Sequence, residues 1–135
     1  MSRRFFAAPL VAACVFGCTQ SDTVPVTGVL TFKGAPADQA EVMFNPKTGR
    51  IATGVTDANG RFTLSTAKPN DGALPGEYIV TLGEYYPPDK PPKMPPPGQG
   101  LPSRFPPKYG DPAHSPLNAK VERGAKNEFN FEVTN

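Results

Sequence analysis

Between Val24 and Val133 the chain alternates apolar and polar residues in seven short runs, most of them bounded by Gly, Pro, Asn or Asp. Side chains on one face of a β-strand recur every second residue, so this period makes strands, not helices, the carriers of the core. The first run is Val24–Phe32, with Val26, Leu30 and Phe32 in phase. Val42 and Phe44 are in phase in AEVMFNP, and Ile51 and Val55 in RIATGVT. The turn DANG at Asp57–Gly60 leads into RFTLS, where Phe62 and Leu64 alternate with polar neighbours. Tyr78, Val80 and Leu82 share a phase in PGEYIVTL, and Leu117, Ala119 and Val121 do so in LNAKVE. In NEFNFEV, Phe129, Phe131 and Val133 point one way and Glu128, Asn130 and Glu132 the other. Seven short strands joined by turn residues, with no amphipathic helix, predict a single all-β domain built as a β-sandwich.

Proline interrupts this pattern in one place. Ten of the 21 residues from Pro87 to Pro107 are proline. Proline has no N–H to give a sheet ladder, so the stretch cannot be a central strand. It is expected to be an exposed, largely extended polyproline II segment or loop. The spacings Pro88 to Pro91 and Pro92 to Pro95 are P-x-x-P, with Lys90 and Lys93 between them. Such a segment is either a preformed ligand for an aromatic-lined groove or a semi-rigid spacer. Tyr85, Tyr86, Phe105 and Tyr109 flank it and are expected to cap one end of the sandwich.

The first residues follow a different logic. MSRR is a short positive region, and FFAAPLVAACVFG is an apolar run of signal-peptide length, too short to span a bilayer comfortably. Residues 1–17 are therefore expected to be a leader. Its end, Val15-Phe16-Gly17-Cys18, resembles a bacterial lipobox: aliphatic, tolerant, small, then Cys. Phe16 is bulkier than usual at the tolerant position, and Val11-Ala12-Ala13-Cys14 fits the residue pattern better but is followed by apolar Val15 and Phe16, whereas Cys18 is followed by polar TQSDT. Cys18 is thus the expected lipidation site, residues 18–23 the tether and 24–133 the folded domain, with Cys14 as the alternative. Several acyl chains anchor a protein stably where one does not. The other use of the two thiols, a bridge within the leader, would be removed with it and leaves the domain without a disulfide framework.

Charge and residue inventory narrow the functions. Without residues 1–17 the chain has 12 Lys+Arg against 12 Asp+Glu, because Arg3 and Arg4 lie in the leader. A neutral chain lacking a dense basic stripe argues against nucleic-acid binding. His114 is the one histidine, and it sits in the turn-like GDPAHSPL. A Ser-His-Asp triad would have to use it, and a zinc site normally needs several His or Cys ligands. Asp57 and Asn59 resemble the opening of a calcium loop, but no Glu completes the twelve-residue pattern, so a hairpin turn with Asn59-Gly60 at positive φ is expected. The expectation is therefore no catalytic residues, no metal and no cofactor.

VTGVLTFKGAPADQAEVMFNP, TDANGRFTLST and PGEYIVTL resemble the carboxypeptidase regulatory-like domain, one of the transthyretin-like sandwiches, across roughly Val24 to Val133. The ending PPKYGDPAHSPLNAKVERGAKNEFNFEV is similar to that of small bacterial lipoproteins built from one such domain. The resemblance implies a seven-stranded Greek-key β-sandwich with a structural or accessory role and no catalytic residues. The transthyretin-like hydrolases of purine breakdown use a set of several His and Arg residues, which this chain, with one His, cannot supply. The proline-rich insertion is the departure from the family pattern. The expectation is a non-enzymatic, membrane-anchored envelope lipoprotein that binds or scaffolds an envelope protein or glycan. A carbohydrate-binding module is the alternative, and an exposed aromatic platform would distinguish it.

Overall fold

A computed structural model describes residues 22–135. The expected leader, Cys14, Cys18 and the first part of the expected tether lie outside the described residues. Among the described residues the fold is all-β: eight strands in two four-stranded sheets, with one turn of 3₁₀ helix at Pro107–Gly110. The strands are β1 Val26–Phe32, β2 Ala35–Pro36, β3 Ala40–Pro46, β4 Ala52–Val55, β5 Arg61–Thr63, β6 Gly76–Glu84, β7 Leu117–Val121 and β8 Asn127–Val133. Each of the seven alternating runs contains a strand, and β2 is an addition.

In the first sheet β8 pairs in parallel with β1 along its whole length, from Val26↔Asn127 to Phe32↔Val133. The other edge of β1 is shared by β5 near its start and β2 near its end, both antiparallel. The second sheet is antiparallel throughout, in the order β4-β3-β6-β7. The β4–β5 hairpin links the sheets at one corner, where Thr53 and Ser65 form a bridge. The β7–β8 hairpin links them at the other, held by the Asn127 side chain, which bonds both the N–H and the C=O of Glu122.

One core lies between the sheets. Phe44 of the second sheet touches Phe62, Phe129 and Phe131 of the first, at ring separations of 5.6–6.5 Å. Leu30, Leu64, Val26, Val42 and Val80 are fully buried around these rings. Gly28 makes the arrangement possible: a Cβ there would lie 2.4 Å from the Phe62 ring and 2.3 Å from the Phe129 carbonyl oxygen.

Two local expectations are corrected. Ile51 and Val55 face solvent, 50% and 40% exposed, while Ala52, Gly54 and Thr56 face inward. The inner side of β4 must be small because the chain of β5 crosses close over it: a Cβ on Gly54 would lie 2.6 Å from the Thr63 carbonyl oxygen. In the DANG turn only Gly60 has positive φ, at 74°, and Asn59 does not. The Asp57 carbonyl accepts from Gly60 N–H, and its carboxylate accepts from the N–H groups of Asn59 and Arg61. This is a turn closed by its own aspartate, with glycine alone at the left-handed position.

Candidate functional site

The two ends of this fold differ in what they carry. At the near pole the chain enters at Asp22, whose carbonyl accepts from Arg123 of the β7–β8 hairpin. Val24 then bonds Ala73 in both directions before β1 begins. At the far pole β1 ends on Phe32, and β6 ends on Glu84 opposite the first residue of β3. Seven residues of β1 separate the poles by about 20 Å, at about 3.3 Å per residue.

The proline-rich segment is rooted at the far pole. Arg104 grips Glu84 through both guanidinium and backbone: Nε lies 2.9 Å from Oε1, Nη2 lies 2.7 Å from Oε2, and the backbone N–H donates to Oε1 at 2.7 Å. Nη2 also donates to the Asp38 carbonyl. Partial burial acts against the Glu84 carboxylate, and the hydrogen bonds and charge of Arg104 outweigh it, so its carboxyl sits below the ordinary value. The same hydrogen bond raises Arg104 further above its already high value. Phe105 is buried and packs edge-on against Phe32 at 5.5 Å. Tyr109, in the 3₁₀ turn, is also buried. Those two aromatics cap the end of the core as expected, whereas Tyr85 is exposed and Tyr86 half-buried. The Tyr86 hydroxyl donates to the Pro102 carbonyl and closes the neck of the loop.

Residues 87–101 thus form an arm with adjoining ends, in the manner of an Ω-loop. A turn closes from Lys90 N–H to the Pro87 carbonyl, and a second from Gln99 N–H to the Pro96 carbonyl. Between them PPKMPP, residues 91–96, has neither turn nor strand. Pro92 and Pro95 are half-buried, and the positions around them are exposed. A repeat of three is that of a polyproline II helix, whose ridges recur every third residue. On such a helix Pro92 and Pro95 share the more covered line, and two lines face solvent: Pro91 with Met94, and Lys93 with Pro96. Met94 is 87% exposed. Of the two P-x-x-P spacings, Pro92 to Pro95 lies in the extended run, while Pro88 to Pro91 is bent by the first turn.

The remaining candidates resolve into local structure. His114 Nδ1 lies 2.5 Å from Asp111 Oδ2, and the hydrogen bond to His114 holds the Asp111 carboxyl below its ordinary value. Neighbouring Ser115 donates its hydroxyl to the Val80 carbonyl instead. Asp71 accepts N–H groups from Thr66, Ala67 and Lys68 at 2.6–3.0 Å, and these bonds lower its carboxyl. Among the described residues no three His, Cys, Asp or Glu side chains gather as a metal site, and no helix is long and apolar enough to cross a membrane. A shallow groove of about 470 Å³ lies toward the near pole between Asn45, Lys47, Glu77, Ile79 and Lys120.

Fold and site together define an all-β, two-sheet protein with a clamped proline-rich arm at the end opposite its point of chain entry. No family model, curated protein or solved structure matches the chain.

Proposed function

We propose that this chain is a non-enzymatic envelope lipoprotein, anchored through lipid on Cys18, whose domain binds or scaffolds an envelope component. On this reading residues 1–17 are removed on export and the domain is a carboxypeptidase regulatory-like, transthyretin-like Greek-key β-sandwich. The observation that carries it is the polarity of the domain. The tether enters at one pole, and the arm is rooted at the other, which suits a module held at a surface and reaching away from it. The roles of the polar side chains agree: Asp57, Asp71, Glu84 and Thr56 are engaged in holding backbone or neighbouring loops. The carbohydrate-binding alternative calls for an aromatic platform. Tyr85, at 37%, is the most exposed aromatic ring among the described residues, and the one aromatic lining the groove toward the near pole, Tyr78, is buried.

The test is fractionation of cells expressing Cys18→Ser. The variant should leave the membrane and collect in the soluble exported fraction, while the parent chain stays with the membrane. A variant that stays with the membrane refutes Cys18 as the anchor, and Cys14→Ser then identifies the alternative.

A further inference from the structure

We infer that the run Pro91–Pro96 is a docking ligand for a protein partner whose groove is lined by aromatic side chains and rimmed by carboxylates. The inference rests on the envelope location proposed above for where such a partner is met. Its chemistry comes from the arm itself.

Four of the six residues in PPKMPP are proline, so φ is fixed at most positions before any partner arrives. A segment already in its bound shape loses little entropy on docking. The period-three burial leaves two adjoining ridges free, one apolar (Pro91 and Met94) and one carrying a cation (Lys93 with Pro96). Pyrrolidine rings and a thioether pack on aromatic faces, and the ammonium of Lys93 suits a carboxylate at the groove's rim. The arm from 87 to 101 has Lys90 and Lys93 against Asp89 alone, so its field also favours an acidic rim. Proline has no N–H to offer sugar hydroxyls, so a glycan is a poorer match than an aromatic groove. The Glu84–Arg104 clamp and the buried Phe105 hold the root fixed, so that the ridges are presented rather than left to wander.

Photo-crosslinking in cells expressing the full-length protein tests this. With p-benzoylphenylalanine in place of Met94, illumination is expected to give a protein adduct of one discrete mass. The same group in place of Ala125, exposed at the near pole, should not give it. Lys93→Glu should lower the adduct about fivefold or more, as should alanine at Pro91, Pro92, Pro95 and Pro96, while Lys93→Arg retains it. Unchanged melting temperatures would show that these variants keep the fold. The inference is overturned by no adduct, by one undiminished in the alanine variant, by the same adduct from position 125, or by lipid or heterogeneous glycan at position 94. Fractionation of the same cells separates the two readings. A membrane-bound chain without adduct sinks the arm alone, and a soluble chain sinks the anchor while the adduct still decides the arm.

Discussion

Gly60 and Thr56 hold the far pole together in different ways. Gly60 combines a φ of 74° with close backbone: a Cβ there would lie 2.4 Å from the Leu30 carbonyl oxygen. A β-branched residue meets both the torsional penalty and the clash. Gly60→Val should therefore lower unfolding free energy by on the order of 3 kcal/mol, read by chemical denaturation, and wild-type stability would contradict the turn geometry. Thr56 is buried, donating its hydroxyl to the Ala37 carbonyl and accepting from Ala40 N–H at 2.9 Å. Thr56→Val keeps the shape but strips both partners, at a cost of about 2–3 kcal/mol. Thr56→Ser, which keeps the hydroxyl, should cost less, and the reverse order would show that packing matters there more than hydrogen bonding. The turn at Asp57–Gly60 is legible in the residues because Asp and Gly occupy the positions that need them. The inward Thr56 is not legible, because Ile51 and Val55 offer a more hydrophobic phase that only the nearness of β5 rules out.

Among the elements, strands β1, β3, β5, β6, β7 and β8 show in the alternation because each has one apolar face and one polar face. β2 does not, since two residues cannot carry a period. Its signal is the two-residue turn Lys33-Gly34, with φ of 51° and 80°, a hairpin type that favours glycine. The parallel union of β1 with β8 and the clamp of Glu84 with Arg104 join distant stretches of chain, and no local pattern announces either. The arm's composition announces exposure, and nothing in it marks Pro92 and Pro95 as the half-buried positions. Deleting Asp89–Gly100 should leave a cooperative melt and β-type circular dichroism, because the residues lost are exposed or half-buried and loop length weighs weakly on stability. Phe105→Ala should instead cost about 3–5 kcal/mol, and equal effects of the two changes would contradict the division between arm and root. Acid should loosen the root. The Glu84 carboxyl lies below its ordinary 4.5 when folded, so its contribution is full above that value and fades as pH falls through the folded one. Melting temperature should thus drop on the acid side of pH 4.5 and drop less in Glu84→Gln. Some drop should persist in that variant, because Asp71 and Asp111 are lowered too. Superimposable profiles would deny the clamp any role in stability.

For the whole molecule, the account requires that the near pole face the membrane and the far pole face away from it. On the proposed reading Cys18 is acylated and Cys14 is removed with residues 1–17, which leaves no free thiol, so a single introduced cysteine would take a fluorophore at one known place. Ala125 lies in the β7–β8 hairpin at the near pole, and Ala35 begins β2 at the far pole, and both are exposed. From Cys18 to Asp22 the tether spans four residue steps, a reach of about 14 Å, shorter than the body it carries. With the lipidated protein in vesicles containing a bilayer-embedded quencher, a fluorophore on Ala125→Cys should be quenched strongly and one on Ala35→Cys weakly. Equal quenching at both positions, or stronger quenching at 35, would contradict the anchored, outward-reaching arrangement.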